Sequence, residues 1–206
     1  MAVAVLLMLS SVAFADNGGL YLSGKGGIGF MRGDKSLAHN QTTGLVDEET
    51  KWKSDTFSYG GSVGWNWIDT GAPIRTEVEY YDHGTLKMEH SDDNATFSIS
   101  TKIQTLQFNL FYDFYNTTSF IPYIGGGVGI ANIKSTGGGK SATNVSYSLF
   151  GGAAYKLTDS LLLDMMYRID QFGSRKFEWQ DTNNSYDGKI KNMYSISGTL
   201  GLRYQF

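Results

Sequence analysis

Three histidines, His39, His83 and His90, supply all the imidazole in this chain, and two of them stand in one acidic, hydroxyl-bearing stretch, Asp82-His-Gly-Thr-Leu-Lys-Met-Glu-His-Ser-Asp-Asp93. Imidazole beside carboxylate and hydroxyl is the raw material of acid–base or nucleophilic catalysis, or of a loose metal site. A working site needs those groups on rigid elements. All three histidines fall in the long polar segments at 32–56 and 83–99, and none falls on a segment that reads as a strand. The expectation is solvated histidines, no catalytic residue and no metal ligand. The carboxylates Glu77 and Glu79 are spaced as glycoside chemistry would allow, but the cations Arg75 and Arg168 argue for structural ion pairs instead. Gly137-Gly-Gly-Lys-Ser141 ends like a phosphate-binding loop, yet that pattern needs a glycine five residues before Gly139, where Lys134 stands. The glycine runs at 24–29 and 125–129 open no helix, so they are not a dinucleotide fingerprint. No cofactor is implied.

The elements around these residues are strands. In 206 residues there are 26 glycines, 29 aromatics and 2 prolines, a balance that favours an all-β chain. With 17 basic against 20 acidic residues there is no basic footprint for nucleic acid, and the absence of cysteine removes disulfides and thiolate sites. Period-two alternation marks eight segments: Gly19 to Met31, Phe57 to Ile68, Ile74 to Asp82, about Ser100 to Phe114, Phe120 to Ile133, Val145 to Leu157, Leu161 to Phe172 and Tyr194 to Phe206. In the last, Tyr194, Ile196, Leu200, Leu202, Tyr204 and Phe206 share one face, opposite Ser195, Ser197, Thr199, Arg203 and Gln205. The second sets Phe57, Tyr59, Val63, Trp65 and Trp67 against small or polar residues.

The connections alternate in length. Tight turns at 69–73, 115–119 and 158–160 contrast with long polar links at 32–56, 83–99, 134–144 and 173–191. Short turns at one end and long links at the other suit an eight-stranded antiparallel up-and-down transmembrane barrel with periplasmic turns and exposed loops. A soluble ligand-binding barrel would carry its apolar face inside. Here an inward polar face brings Lys25, Arg75, Lys156, Arg168 and Arg203 together with Glu77, Glu79, Asp113, Asp164 and Asp170, equal numbers of each sign. Buried charges persist only when paired, so these ten residues are expected to form a lumenal ion-pair network. The opposite face is nearly free of charge. Lys102 and Gln104 are its exceptions, and must lie at or above the membrane edge. Eight strands leave an interior that side chains can fill, which makes an open pore the weaker alternative.

Pro122-Tyr-Ile-Gly-Gly-Gly-Val-Gly129, Leu161-Leu-Leu-Asp-Met-Met-Tyr-Arg168 and Gly198-Thr-Leu-Gly-Leu-Arg-Tyr-Gln-Phe206 resemble the small outer-membrane barrels of the opacity-protein and OmpA-transmembrane-domain type. The resemblance implies that Tyr204 and Phe206 are the assembly signal read by the barrel-insertion machinery. It also implies a non-enzymatic surface protein of the bacterial outer membrane, in contact with outer-membrane lipids and lipopolysaccharide. Its exposed loops would serve adhesion to a host-surface protein or glycan, with a membrane-stabilising role as the alternative. The contact candidates are Trp52, between Lys51 and Lys53, and Phe177, Trp179 and Tyr186 in the fourth long link. The chain departs from full-length OmpA by ending at Phe206, so no peptidoglycan-binding domain is expected after the barrel.

Residues 2–15 form an uncharged apolar run closing on Ala13-Phe14-Ala15, which reads as a signal peptide (1–15) ahead of a barrel domain (16–206). The usual positive leading region is missing, which points to a true start elsewhere or to lost residues. At fourteen residues the run is too short to span a bilayer as a helix, which takes roughly 20.

Overall fold

The computed structural model describes residues 18–40, 52–92, 95–136, 141–181 and 184–206. The signal-peptide reading lies outside them. The strands are β1 (Gly19–Asn40), β2 (Trp52–Asn66), β3 (Ile74–Asp92), β4 (Ala95–Asp113), β5 (Phe120–Thr136), β6 (Ala142–Lys156), β7 (Leu161–Gln171), β8 (Arg175–Asp181) and β9 (Asn184–Gln205). Each pairs antiparallel with its neighbour, and β9 returns to pair with β1, closing the sheet on itself. β8 continues β7 after a kink. β9 pairs with β7 through Tyr194–Tyr204 and with β8 through Asn184–Ile190, so the nine segments form eight barrel strands. Gly173 and Asn192 take positive φ (75° and 51°) at the kink, and Asn144 pins it by donating Nδ2 to the carbonyls of Phe172 and Ser174, both at 2.9 Å.

Closure decides the faces. Ile28 is 65% and Phe57 67% exposed, while Arg168, Glu79 and Asp170 are fully buried. Grease outside and charge inside is the inverse of a soluble barrel, and it is stable only where hydrocarbon surrounds the outer face. At the end with the tight turns the outer face carries an aromatic girdle. Trp65 packs near Trp67 (ring centroids 6.2 Å apart), Tyr112 edge-on to Phe114 and Tyr204 edge-on to Phe206, the last two pairs at 5.0 Å. One turn there holds a single 3-10 turn, Ile68–Thr70, capped by Gly71 in the left-handed region.

Three expectations need correction. The long links are largely strand: β1 runs to Asn40, β3 to Asp92, β4 begins at Ala95, and β8 and β9 fill most of 175–191. Beyond the apolar belt no hydrocarbon imposes an alternation on the sequence, so the pattern fades while backbone pairing continues. The contact candidates Trp52, Phe177, Trp179 and Tyr186 therefore stand on strands rather than loops, with Trp179 opposite Tyr186 and Phe177 opposite Gly188. Lastly, His39, His83 and His90 all stand on strands, β1 for the first and β3 for the other two. The inward parity of Glu77, Glu79 and Tyr81 simply continues to His83, which is 1% exposed.

Candidate functional site

Odd-numbered positions of β1, β3, β4 and β9, and even-numbered positions of β7, deliver the charged side chains to one lumen. Arg168 is its centre. Its Nε and Nη2 donate to both oxygens of Asp170 (2.9 and 2.7 Å), Nη1 donates to Glu79 (2.8 Å), and Nη2 also reaches the Gln107 side-chain oxygen (3.2 Å). The guanidinium lies 4.1 Å from the Tyr81 ring centroid, a cation–π seat that also blocks access to it. Lys25 donates to Glu79 at 2.6 Å and to Glu77 at 3.3 Å. Glu77 further accepts from Tyr21, Ser62 and Asn109 (3.1, 2.9 and 3.1 Å). A second knot joins Arg75 to Asp113 through two hydrogen bonds of 2.6 and 3.0 Å, with the guanidinium among the rings of Tyr21, Phe111 and Tyr123.

The two remaining members of the expected network are looser. Arg203 Nε sits 3.2 Å from Asp164, but the pair is misaligned: neither Nε nor Nη1 of Arg203 makes a hydrogen bond. A cavity of about 20 Å³ beside Arg203, Arg75, Lys25 and Asp164 has room for roughly one water, which would serve those orphaned donors. Lys156 is half-buried on the last residue of β6, at the tight-turn mouth rather than in the central cluster.

His83 lies above this cluster. Its Nε2 is 3.1 Å from the Thr105 hydroxyl, its Nδ1 is 3.8 Å from Asp170, and Tyr81 and Phe172 pack edge-on against the ring at 4.8 and 4.6 Å. Hydroxyl, imidazole and carboxylate in that order are the parts of a nucleophilic triad. The geometry does not assemble one, because 3.8 Å is too long for a hydrogen bond and His83 Nδ1 has no partner. Thr105 and His83 are each 1% exposed, so a substrate has no approach.

Sequence reasoning missed two apolar layers inside the lumen. Met31, Ile103, Ala131, Ile133, Phe172 and Met193 close it above His83. Phe111, Ile121, Tyr123, Phe150, Ala154, Leu162 and Met166 fill its tight-turn half along β4–β7. The signal was present, since these residues interrupt the polar parity of their strands. With the lumen packed in this way, the purified barrel in a planar bilayer is expected to give no steady conductance; regular current steps would overturn that expectation.

The upper limit of the apolar belt is marked on β3 and β4. Lys102 Nζ and Gln104 Nε2 both reach Asp82, at 2.8 and 2.9 Å, and Gln104 also donates to the Tyr80 hydroxyl at 2.6 Å. Lys102, Gln104 and the Gly84 N–H, which donates at 3.0 Å, together satisfy the Asp82 carboxylate there. The two polar residues on the greasy face are thus neutralised at its edge.

The family model described as outer membrane protein beta-barrel domain matches residues 1–206. Outer membrane protein PagN of Salmonella typhimurium is 26% identical, across 91% of this chain and 90% of PagN. Among solved structures, OprG from Pseudomonas aeruginosa superposes with a TM-score of 0.61 at 14% identity, covering 91% of this chain and 97% of OprG. Neisserial surface protein A superposes with 0.59 at 19%, covering 93% of this chain and 100% of its own. At those identities the two structures speak for the fold.

Proposed function

Because the chain belongs to the outer membrane protein beta-barrel family and is an outer-membrane barrel, we propose that it is a non-enzymatic surface protein whose work is done by the strand ribbons beyond the belt, which bind a host-surface protein or glycan. The observation that carries this is the length of those ribbons. β3 and β4 remain paired from Thr85↔Lys102 up to Asp92↔Ala95, and β1, β9 and β8 form a three-stranded sheet with Asn40↔Tyr186 and Trp179↔Tyr186 in register. Paired strands hold contact residues at lower entropic cost than free loops do. Trp52, Phe177, Trp179 and Tyr186 remain the proposed anchors, aromatics being the common hot spots of protein interfaces. In this reading the ribbons face outward, the tight turns face the periplasm, and Tyr204 and Phe206 at the turn end are read by the insertion machinery. The lumenal ion pairs, with Lys156 at the turn-end mouth, are structural, supporting the scaffold.

The test is removal, in turn, of the segments 34–54, 86–98, 136–142 and 176–190. Heat-modifiable gel migration would confirm folding, and attachment of expressing cells to epithelial cells and immobilised matrix proteins would be scored. Loss of attachment for one or two deletions is expected. Unchanged attachment across all four would leave a membrane-stabilising barrel.

A further inference from the structure

Resting on the outward orientation just proposed, we propose that a glycine-floored groove on the barrel's outer face seats one lipopolysaccharide molecule, an acyl chain lying in the groove and a phosphate on Arg32. Five strands build the wall in the order β6, β7, β9, β1, β2. One rung across it reads Gly151, Tyr167, Gly198, Ile28 and Phe57, each paired with the next. A side chain added at Gly151 or Gly198 would meet nothing within 4 Å, so the floor is bare backbone between the large side chains of that rung. The resulting trough, of about 700 Å³, has an almost wholly apolar lining.

Its place in the membrane narrows the occupant to a chain of hydrocarbon, and a concave seat covers more of that chain than a convex barrel wall does. Charge selects which hydrocarbon. Arg32 stands four residues above Ile28 on the same outward face of β1, is exposed, and has no carboxylate partner among the described residues. At about 3.3 Å rise per residue and roughly 40° of tilt, that step places the guanidinium about 10 Å nearer the surface than the trough, at headgroup depth. A planar guanidinium matches a phosphate monoester through two parallel hydrogen bonds. Tyr194, opposite Arg32 on β9, and Gln171, opposite Tyr194 on β7, complete the rung. Asp55 lies one rung lower on β2, opposite Phe30, and would keep an anion on the β9 side of Arg32. With the ribbons outward, the lipid at that depth is the phosphorylated, multiply acylated glycolipid of the outer leaflet.

The full chain, placed in nanodiscs with purified lipopolysaccharide or with phosphatidylethanolamine and phosphatidylglycerol, would be examined by native mass spectrometry for lipid retained on the released barrel. One retained lipopolysaccharide is expected, with little phospholipid. Gly198→Phe and Gly151→Leu fill open space and should leave the gel shift unchanged while lowering retention about tenfold. Arg32→Ala should lower it similarly for intact lipopolysaccharide and have no effect on the dephosphorylated form. Equal retention by wild type and both glycine variants would overturn the groove. Loss of a dimer rather than of lipid in those variants would make the face a contact between two copies instead. A preference for phospholipid would overturn the outward orientation itself. Ribbon deletions that abolish attachment but keep the lipid would separate this proposal from the surface-binding one.

Discussion

Replacing Arg168 with methionine is expected to destabilise the barrel by about 3–5 kcal/mol, the cost of leaving buried carboxylates without their counter-ion. Asp170 would lose both of its arginine hydrogen bonds and keep the Ser148 hydroxyl at 2.5 Å. Glu79 would keep Lys25 at 2.6 Å and lose the other half of its pairing. Two carboxylates in a lumen sealed by apolar layers cannot recover hydration, so the loss should appear as a lower urea midpoint of the refolded barrel in phospholipid vesicles, read by tryptophan fluorescence. The triple variant Arg168→Met, Glu79→Gln, Asp170→Asn removes the stranded charges with the cation and should regain most of the midpoint. An unchanged midpoint for Arg168→Met alone would mean that the network contributes nothing to stability.

Gly129→Val should prevent the barrel from closing in register. A Cβ at Gly129 would collide with the Leu106 carbonyl oxygen and come within 2.6 Å of Gln107 Cα on β4, and backbone cannot swing aside as a side chain can. Overpacking of this kind costs about 3 kcal/mol or more when main chain has to shift. Gly198→Val is the matched control: the same change on a strand of the same barrel, pointing into open space. The expected gel shows only the unfolded band for Gly129→Val and the usual heat-modifiable pair for Gly198→Val. A folded Gly129→Val with a wild-type midpoint would show that β4 and β5 can separate there without penalty.

The contrast between these two glycines explains what could be read in advance. Both interrupt an alternating strand, and nothing in the order of residues says which meets a neighbour's carbonyl and which meets lipid. The same limit applied to the charges. Parity placed Lys25, Glu79, Arg168 and Asp170 on inward faces, but Arg168 and Glu79 are 89 residues apart, and their contact follows from the stagger with which eight strands close. His83 shows the opposite error: its odd position continued the inward series of Glu77, Glu79 and Tyr81, yet the stretch looked like a loop because its outward positions had turned polar.

That error has a physical source. Alternation is imposed by a boundary with hydrocarbon on one side, so it reports the bilayer and falls silent where a paired ribbon rises beyond the hydrocarbon. The sequence by itself therefore determined the all-β class, the number of barrel strands, the outward apolar face and the belt's aromatic edge, all of which depend on each residue's own solvent. Only the tertiary structure decided how far the strands extend, which charges pair, that apolar layers seal the lumen around His83, and which glycines floor an open groove. Those depend on register and closure, which bring together residues that no local pattern relates.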